Sequence, residues 1–144
     1  MSVKKFTHYG SCYCKNITFT FATNLEQSEI NPRVCDCSFC QKHGAKYISD
    51  PLGELVIEAK EQSIHEYQQG SNNASFILCK NCGVFVAVIF KDNSGIYGNI
   101  NLSCLEQKLN FGDNLNVSPK ILSAEEKISR WIKLWIPNVI IKLK

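Results

Sequence analysis

Eight cysteines in a chain of 144 residues carry most of the chemistry this sequence offers. Seven of them fall into three tight groups. Cys12 and Cys14 form C-x-C, Cys35, Cys37 and Cys40 form C-x-C-x-x-C, and Cys79 and Cys82 form C-x-x-C followed by Gly83. Cys104 stands alone. Thiolates two or three positions apart reach one ion from a single turn of backbone, and Zn²⁺ takes four of them in a tetrahedron at ~2.3 Å. A C-x-C pair joined to a C-x-x-C pair would close such a site, and closed sites are structural. Three thiolates from one short segment leave a fourth position open to water or substrate. His43 and Cys104 are the candidate fourth ligands for the triplet, and a cysteine there would saturate the ion. The competing readings are buried thiols packing as small hydrophobes, a metal-free redox cluster, or a second closed zinc.

The rest of the composition favours metal over disulfides. The stretch Met1 to His8 lacks the apolar core of a secretory signal, so the expected location is cytoplasmic, where thiols stay reduced. No apolar run reaches the ~18 residues of a membrane span. Apolar residues make up 44% and charged residues 20%, a globular balance. The formal charge is +3. Seven bound thiolates and two Zn²⁺ would bring it to zero, so no nucleic acid is expected as a partner. The length fits a single domain, residues 1–144, and neither a repeat nor a linker interrupts it.

The elements that must position the cysteines are short. Ile17 to Phe21 alternates apolar and polar, as a half-buried strand does. Further strands are expected at Arg33–Cys35, Leu52–Glu58, Ser63–Gln68, Ala74–Leu78, Val84–Phe90, Ile96–Leu102 and Val139–Leu143, with turn residues between them. Gly10 to Asn16, Asn24 to Pro32 and Asn110 to Pro119 read as turns or loops, and Cys104 reads as a core thiol in a strand. Ser38 is expected to cap one helical turn that Gly44 ends. Ser123 and Glu126 match the capping box of a C-terminal helix whose Ile128, Trp131, Ile132 and Trp135 share a face, with Pro137 beyond it. That stripe reads as packing, or as a pocket wall or dimer contact. His8 reads as a residue of a loose N-terminus and His65 as structural or exposed. Lys42 and His43 are the nearest polar neighbours of the triplet by sequence.

Taken together, the cysteine groups resemble the glutathione-dependent formaldehyde-activating enzyme family, which also includes centromere protein V. Gly10-Ser11-Cys12-Tyr13-Cys14 is similar to its opening G-x-C-x-C. Cys35-Asp36-Cys37-Ser38-Phe39-Cys40, with Gly44 behind, resembles its central C-x-C-S-x-C. Cys79-Lys80-Asn81-Cys82-Gly83 resembles its C-x-x-C-G, and Ile100-Asn101-Leu102 with Leu105 resembles the strand that follows. The family-like core spans about 8–105, and the helix and strand of 120–144 follow it. Relatives carry an Arg shortly before the C-x-x-C and a His near the end; here Ala74–Leu78 holds no Arg and no His follows His65.

The resemblance implies a mainly β, β-tent-like fold of several twisted antiparallel sheets, with zinc knuckles and one short C-terminal helix. It implies two zinc ions per chain. Cys12, Cys14, Cys79 and Cys82 would hold the structural one, and Cys35, Cys37 and Cys40 the one at the active site. The implied activity is that of a carbon–sulfur lyase, joining a small-molecule thiol such as glutathione to formaldehyde or a related aldehyde. A thiol would take the open position as thiolate and attack the carbonyl carbon. The other reading of the same residues is a zinc-stabilised binding module without chemistry, acting through protein contacts. Neither a membrane nor a nucleic acid is expected as a partner, and a homodimer is possible.

Overall fold

The computed structural model describes residues 3–107 and 109–144. Met1 and Ser2, the start of the N-terminal stretch read above, lie outside them. In chain order the strands are β1 (Phe6–Ser11), β2 (Ile17–Thr23), β3 (Arg33–Cys35), β4 (Lys46–Ile48), β5 (Glu54–Ala59), β6 (Ile64–Tyr67), β7 (Ser75–Cys79), β8 (Phe85–Asp92), β9 (Gly95–Asn101), β10 (Leu115–Val117) and β11 (Ile140–Leu143). The helices are α1 (Ser38–His43) and α2 (Ala124–Leu134). The fold is thus mainly β, as expected.

The strands form two sheets, β1-β2-β5-β11 and β10-β3-β4-β9-β8-β7-β6. Most neighbours are antiparallel, but β11 runs parallel to β5 and β10 parallel to β3. The antiparallel expectation misses both because each strand arrives from a distant part of the chain rather than through a hairpin. The inward residues Ile17, Phe19 and Phe21 of β2 and Leu55 and Ile57 of β5 are buried. They share one apolar cluster with Ile77, Ala87, Ile89 and Ile100 of the seven-stranded sheet. Each such side chain contributes about 1.5–3 kcal/mol relative to exposure.

The opposite face of the seven-stranded sheet carries a second cluster, built from Tyr47, Phe76, Phe85, Val88 and Phe90 under Trp131 and Trp135 of the C-terminal helix region. The cysteine triplet belongs to this cluster. The two faces of one sheet therefore separate the two cysteine groups. Ser123 and Glu126 form the expected capping box at the start of α2. After α2 the chain docks onto β9: the Gly98 and Ile136 backbones exchange hydrogen bonds of 2.9 and 2.8 Å, and Val139 N–H donates to the Ile96 carbonyl at 2.8 Å. This anchors α2 over the second cluster.

Several local readings change. His8 lies within β1, opposite Phe21, instead of in a loose terminus. Gly10 also belongs to β1, because only a glycine fits there: an added Cβ would stand 2.2 Å from the Phe19 ring and 2.8 Å from the Cys104 carbonyl. Asn110–Pro119 includes the short strand β10, and Asn24–Pro32 includes a single 3-10 turn, Gln27–Glu29. Cys104 sits in a 3-10 turn, Leu102–Cys104, and not in a strand. The cap of α1 is Cys37 rather than Ser38, since the Cys37 sulfur accepts the Cys40 N–H. Gly44 ends that helix at φ 60, as expected.

His8 carries a testable consequence. Its Nε2 is buried without a hydrogen-bond partner, and burial lowers its pKa below the ordinary 6.5. The folded state then binds fewer protons than the unfolded one, so this stabilisation is present above pH ~6.5 and is lost as pH falls below it. Urea midpoints of wild type and His8→Phe between pH 7.5 and 5.5 should diverge, wild type losing more. Parallel profiles would contradict this.

Candidate metal centres

The first centre is built from two turns. Cys12 and Cys14 occupy the β1–β2 connection, where Cys12 N–H donates to the Ile17 carbonyl and Ile17 N–H donates to the Cys12 sulfur at 3.3 Å. Cys79 ends β7, and Cys82 follows in a turn that Gly83 completes at φ 79. Gly83 N–H donates to the Cys79 carbonyl at 2.8 Å, and Cys82 N–H donates to the Cys79 sulfur at 3.5 Å. The four ligand sulfurs all lie within 4.8 Å of one another. Two of the separations are 3.7 Å (Cys12 to Cys14) and 3.6 Å (Cys14 to Cys79). The edge of a tetrahedron with ~2.3 Å metal–sulfur bonds is ~3.8 Å, so the donor set fits a tetrahedral thiolate-bound ion. Backbone N–H groups aimed at sulfur also suit thiolates, which need donors to compensate their charge. Burial pushes the Cys12 thiol up to about 12, while contacts from Asn81 and Asn16 draw Cys14 down to about 6. The protein therefore divides proton affinity unevenly among these sulfurs when no cation shares their charge.

The second centre lies across the sheet. Cys35 ends β3, Cys37 caps α1 and Cys40 lies in its first turn, so one strand-to-helix corner delivers three sulfurs within 4.8 Å of one another. Cys35 and Cys40 are buried. The Cys40 contact draws the Cys35 thiol down to about 6, whereas the same contact and burial push Cys40 up. The Tyr47 hydroxyl lies 2.8 Å from the Cys40 sulfur. Burial raises the Tyr47 pKa, and beside a metal-bound thiolate, which can only accept, its O–H would be the donor of this contact.

Neither expected fourth ligand joins this group. The His43 ring packs on Phe39 and Phe85, with centroids 4.5 and 5.2 Å away. The Cys104 thiol donates to the Phe85 carbonyl at 3.3 Å. Among the described residues no fourth His, Cys, Asp or Glu ligand atom lies within the cluster. Lys42 is exposed and is absent from the cavity wall.

The triplet instead opens into a cavity of about 280 Å³. Strand register explains its floor. Phe76 pairs with Val88 and Val88 with Asn99, so these three share a face of β7, β8 and β9. Arg33 pairs with Tyr47 and Cys35 with Val117 on the same side. The opposite wall comes from Lys127, Arg130, Trp131 and Trp135, which recur at helical spacing on α2 and its cap. Trp131 and Trp135 stack at 5.0 Å and are buried, so they both pack the cluster and bound the cavity. The Arg33 guanidinium donates to Ser49 at 2.8 Å, and Ser49 donates to the Leu134 carbonyl at 2.7 Å. Burial, and then the neighbouring Arg130, lower the Arg33 pKa to about 10, which leaves it charged at neutral pH.

The family model of the glutathione-dependent formaldehyde-activating enzyme matches residues 7–120. The chain belongs to that family. The match contains all eight cysteines and ends before α2, so Lys127, Arg130, Trp131 and Trp135 of the cavity wall follow the matched region. A crystal structure of a protein from Rhodobacter sphaeroides is similar at 22% identity, over 76% of this chain and 99% of that one, with a TM-score of 0.56. That likeness extends to the fold. No curated protein matches this chain. Among the described residues no helix is long and apolar enough to cross a membrane.

Proposed function

We propose that the protein is a zinc-dependent carbon–sulfur lyase-type enzyme that joins glutathione, or a related thiol, to formaldehyde or a related aldehyde and reverses the reaction. In this reading the chain is one cytoplasmic domain acting on small molecules. A structural zinc sits on Cys12, Cys14, Cys79 and Cys82, and a second zinc sits on Cys35, Cys37 and Cys40. The observation that carries the reading is the triplet of sulfurs opening into a cavity with no fourth protein ligand among the described residues. The family to which the chain belongs supports the choice of thiol and aldehyde.

Zinc held by three thiolates would supply thiol deprotonation and carbonyl polarisation. The reaction itself makes one C–S bond: the thiol sulfur adds to the carbonyl carbon, and the carbonyl oxygen takes the proton the thiol gave up. The protein's part is to hold the partners and the charge. The Tyr47 hydroxyl, 2.8 Å from the Cys40 sulfur, would donate to it as a thiolate, fixing that sulfur and drawing off part of its charge. Arg33 and Arg130 provide positive potential where a thiolate would collect. Trp131 and Trp135 on the wall opposite the sulfurs, and Phe76 and Val88 on the floor beside them, give the cavity an apolar lining, which strengthens each charged contact.

The test is the exchange rate between formaldehyde and S-hydroxymethylglutathione, followed by NMR exchange spectroscopy with zinc-loaded protein. Acceleration above the protein-free rate supports the reading. An unchanged rate with two zinc ions bound points instead to the binding module.

A further inference from the structure

We propose that Arg33 and Arg130 form a carboxylate-binding subsite beside the cysteine triplet, so that the cavity selects a thiol bearing a carboxylate. The thiol half of this statement rests on the reading above; the carboxylate half rests on the two guanidiniums.

Both arginines line the cavity that the triplet opens into, Arg33 from β3 and Arg130 from α2. Both are half-buried. Among the described residues neither has a carboxylate partner, although the ion pairs Lys91–Glu66, Lys120–Asp36 and Lys144–Glu58 form elsewhere. The acid nearest Arg33 in sequence, Asp36, is already engaged by Lys120 at 3.7 Å and by the Ser118 hydroxyl, and the one nearest Arg130, Glu126, accepts the Ser123 N–H in the capping box at 2.9 Å. Lys127 adds a third cation to the same wall. Withdrawing like charges from water without a counter-ion is costly. A zinc ion on three thiolates carries one net negative charge and offsets one of them. The remaining positive charge matches an incoming thiolate plus a carboxylate. Arginine also offers the bidentate fork that a carboxylate fits.

A separate observation points to a ligand in the same place. The Asn99 side chain is 4% exposed, its Oδ1 has no hydrogen-bond partner, and the residue lies on the cavity floor beside Val88. Buried amide groups are nearly always paired, so this one calls for an N–H or O–H from a bound molecule. A carboxylate, a thiol and an amide N–H describe an acidic thiol peptide. Arg130 and Lys127 follow residue 120, where the family match ends. This part of the selectivity therefore belongs to the C-terminal helix.

The protein's two tryptophans, Trp131 and Trp135, both border the cavity, so intrinsic fluorescence reports its occupancy. Four probes are titrated into zinc-loaded protein: glutathione, S-methylglutathione, and the diethyl ester of each. Esterification is expected to weaken binding about tenfold or more in both pairs, as losing a charge-assisted bidentate contact does. Arg130→Gln should reduce that discrimination to about twofold, and Arg130→Lys should keep part of it. Arg33→Gln provides the same test from the opposite wall. Equal binding of acids and esters, intact discrimination in both glutamine variants, or no response to any of the four would overturn the proposal. S-methylation separates the two halves. If it leaves affinity unchanged, the thiol reading fails, while the ester comparison still decides the subsite.

Discussion

Cys79→Ala is expected to leave the protein largely unfolded at 37 °C. Cys79 is buried, ends β7 and stands 3.6 Å from Cys14, so it joins the β1–β2 turn to the seven-stranded sheet. Structural zinc contributes ~10–16 kcal/mol in small zinc-dependent units. The whole stability of a domain this size is ~5–15 kcal/mol. Losing one ligand of four leaves a weak site, with the buried Cys12 and the half-buried Cys14 and Cys82 short of a partner. The same logic holds for a strong chelator, which should lower the melting temperature of wild type by tens of degrees and release two zinc ions. Circular dichroism with metal analysis checks both. A metal-free sample that melts where the loaded one does would contradict the structural role.

Cys35→Ser should act in the opposite way, sparing the fold and removing the chemistry. Cys35 sits on the far face of the sheet from the first centre, in the smaller cluster under α2. Neither sheet depends on its sulfur for pairing, since β3 joins β4 and β10 through backbone hydrogen bonds. The variant is expected to retain one zinc, to melt within about 5 °C of wild type, a stability change on the order of 1 kcal/mol, and to lose catalysed exchange down to the protein-free rate. Retention of two zinc ions with full activity would remove Cys35 from the site. Collapse of the fold would make the second centre structural as well.

The contrast between these variants also marks what the sequence discloses. Each cysteine pair or triplet is legible because its ligands sit within one turn of chain, and Gly83 and Gly44 stand where their positive φ is needed. The partnership of Cys12 and Cys14 with Cys79 and Cys82, in which Cys14 and Cys79 stand 65 residues apart, is implied by the family resemblance rather than by spacing. The capping box of Ser123 and Glu126 is local and is found where expected. The cavity is different. Arg33, Tyr47, Asn99 and Arg130 come from β3, β4, β9 and α2, and only strand register and the docking of Ile136 on Gly98 bring them to one face. No local pattern encodes that meeting. Sequence proximity points to Lys42 and His43 instead, and both lie on the exposed side of α1. The strands β4 and β10 escape notice because pairing with β3, rather than any local pattern, holds their three residues extended. β1 escapes because Gly10 and Ser11 read as a turn, whereas the close approach of Phe19 is what requires the glycine.

The central claim is that one sulfur centre is closed and the other is open to a thiol. Zinc K-edge absorption fine structure of the loaded protein tests it directly. The account predicts two zinc ions per chain with about 3.5 sulfur neighbours per zinc on average, rising to about 4 when glutathione is added, at metal–sulfur distances near 2.3 Å. An average of four sulfurs before glutathione, or no change on its addition, would contradict it.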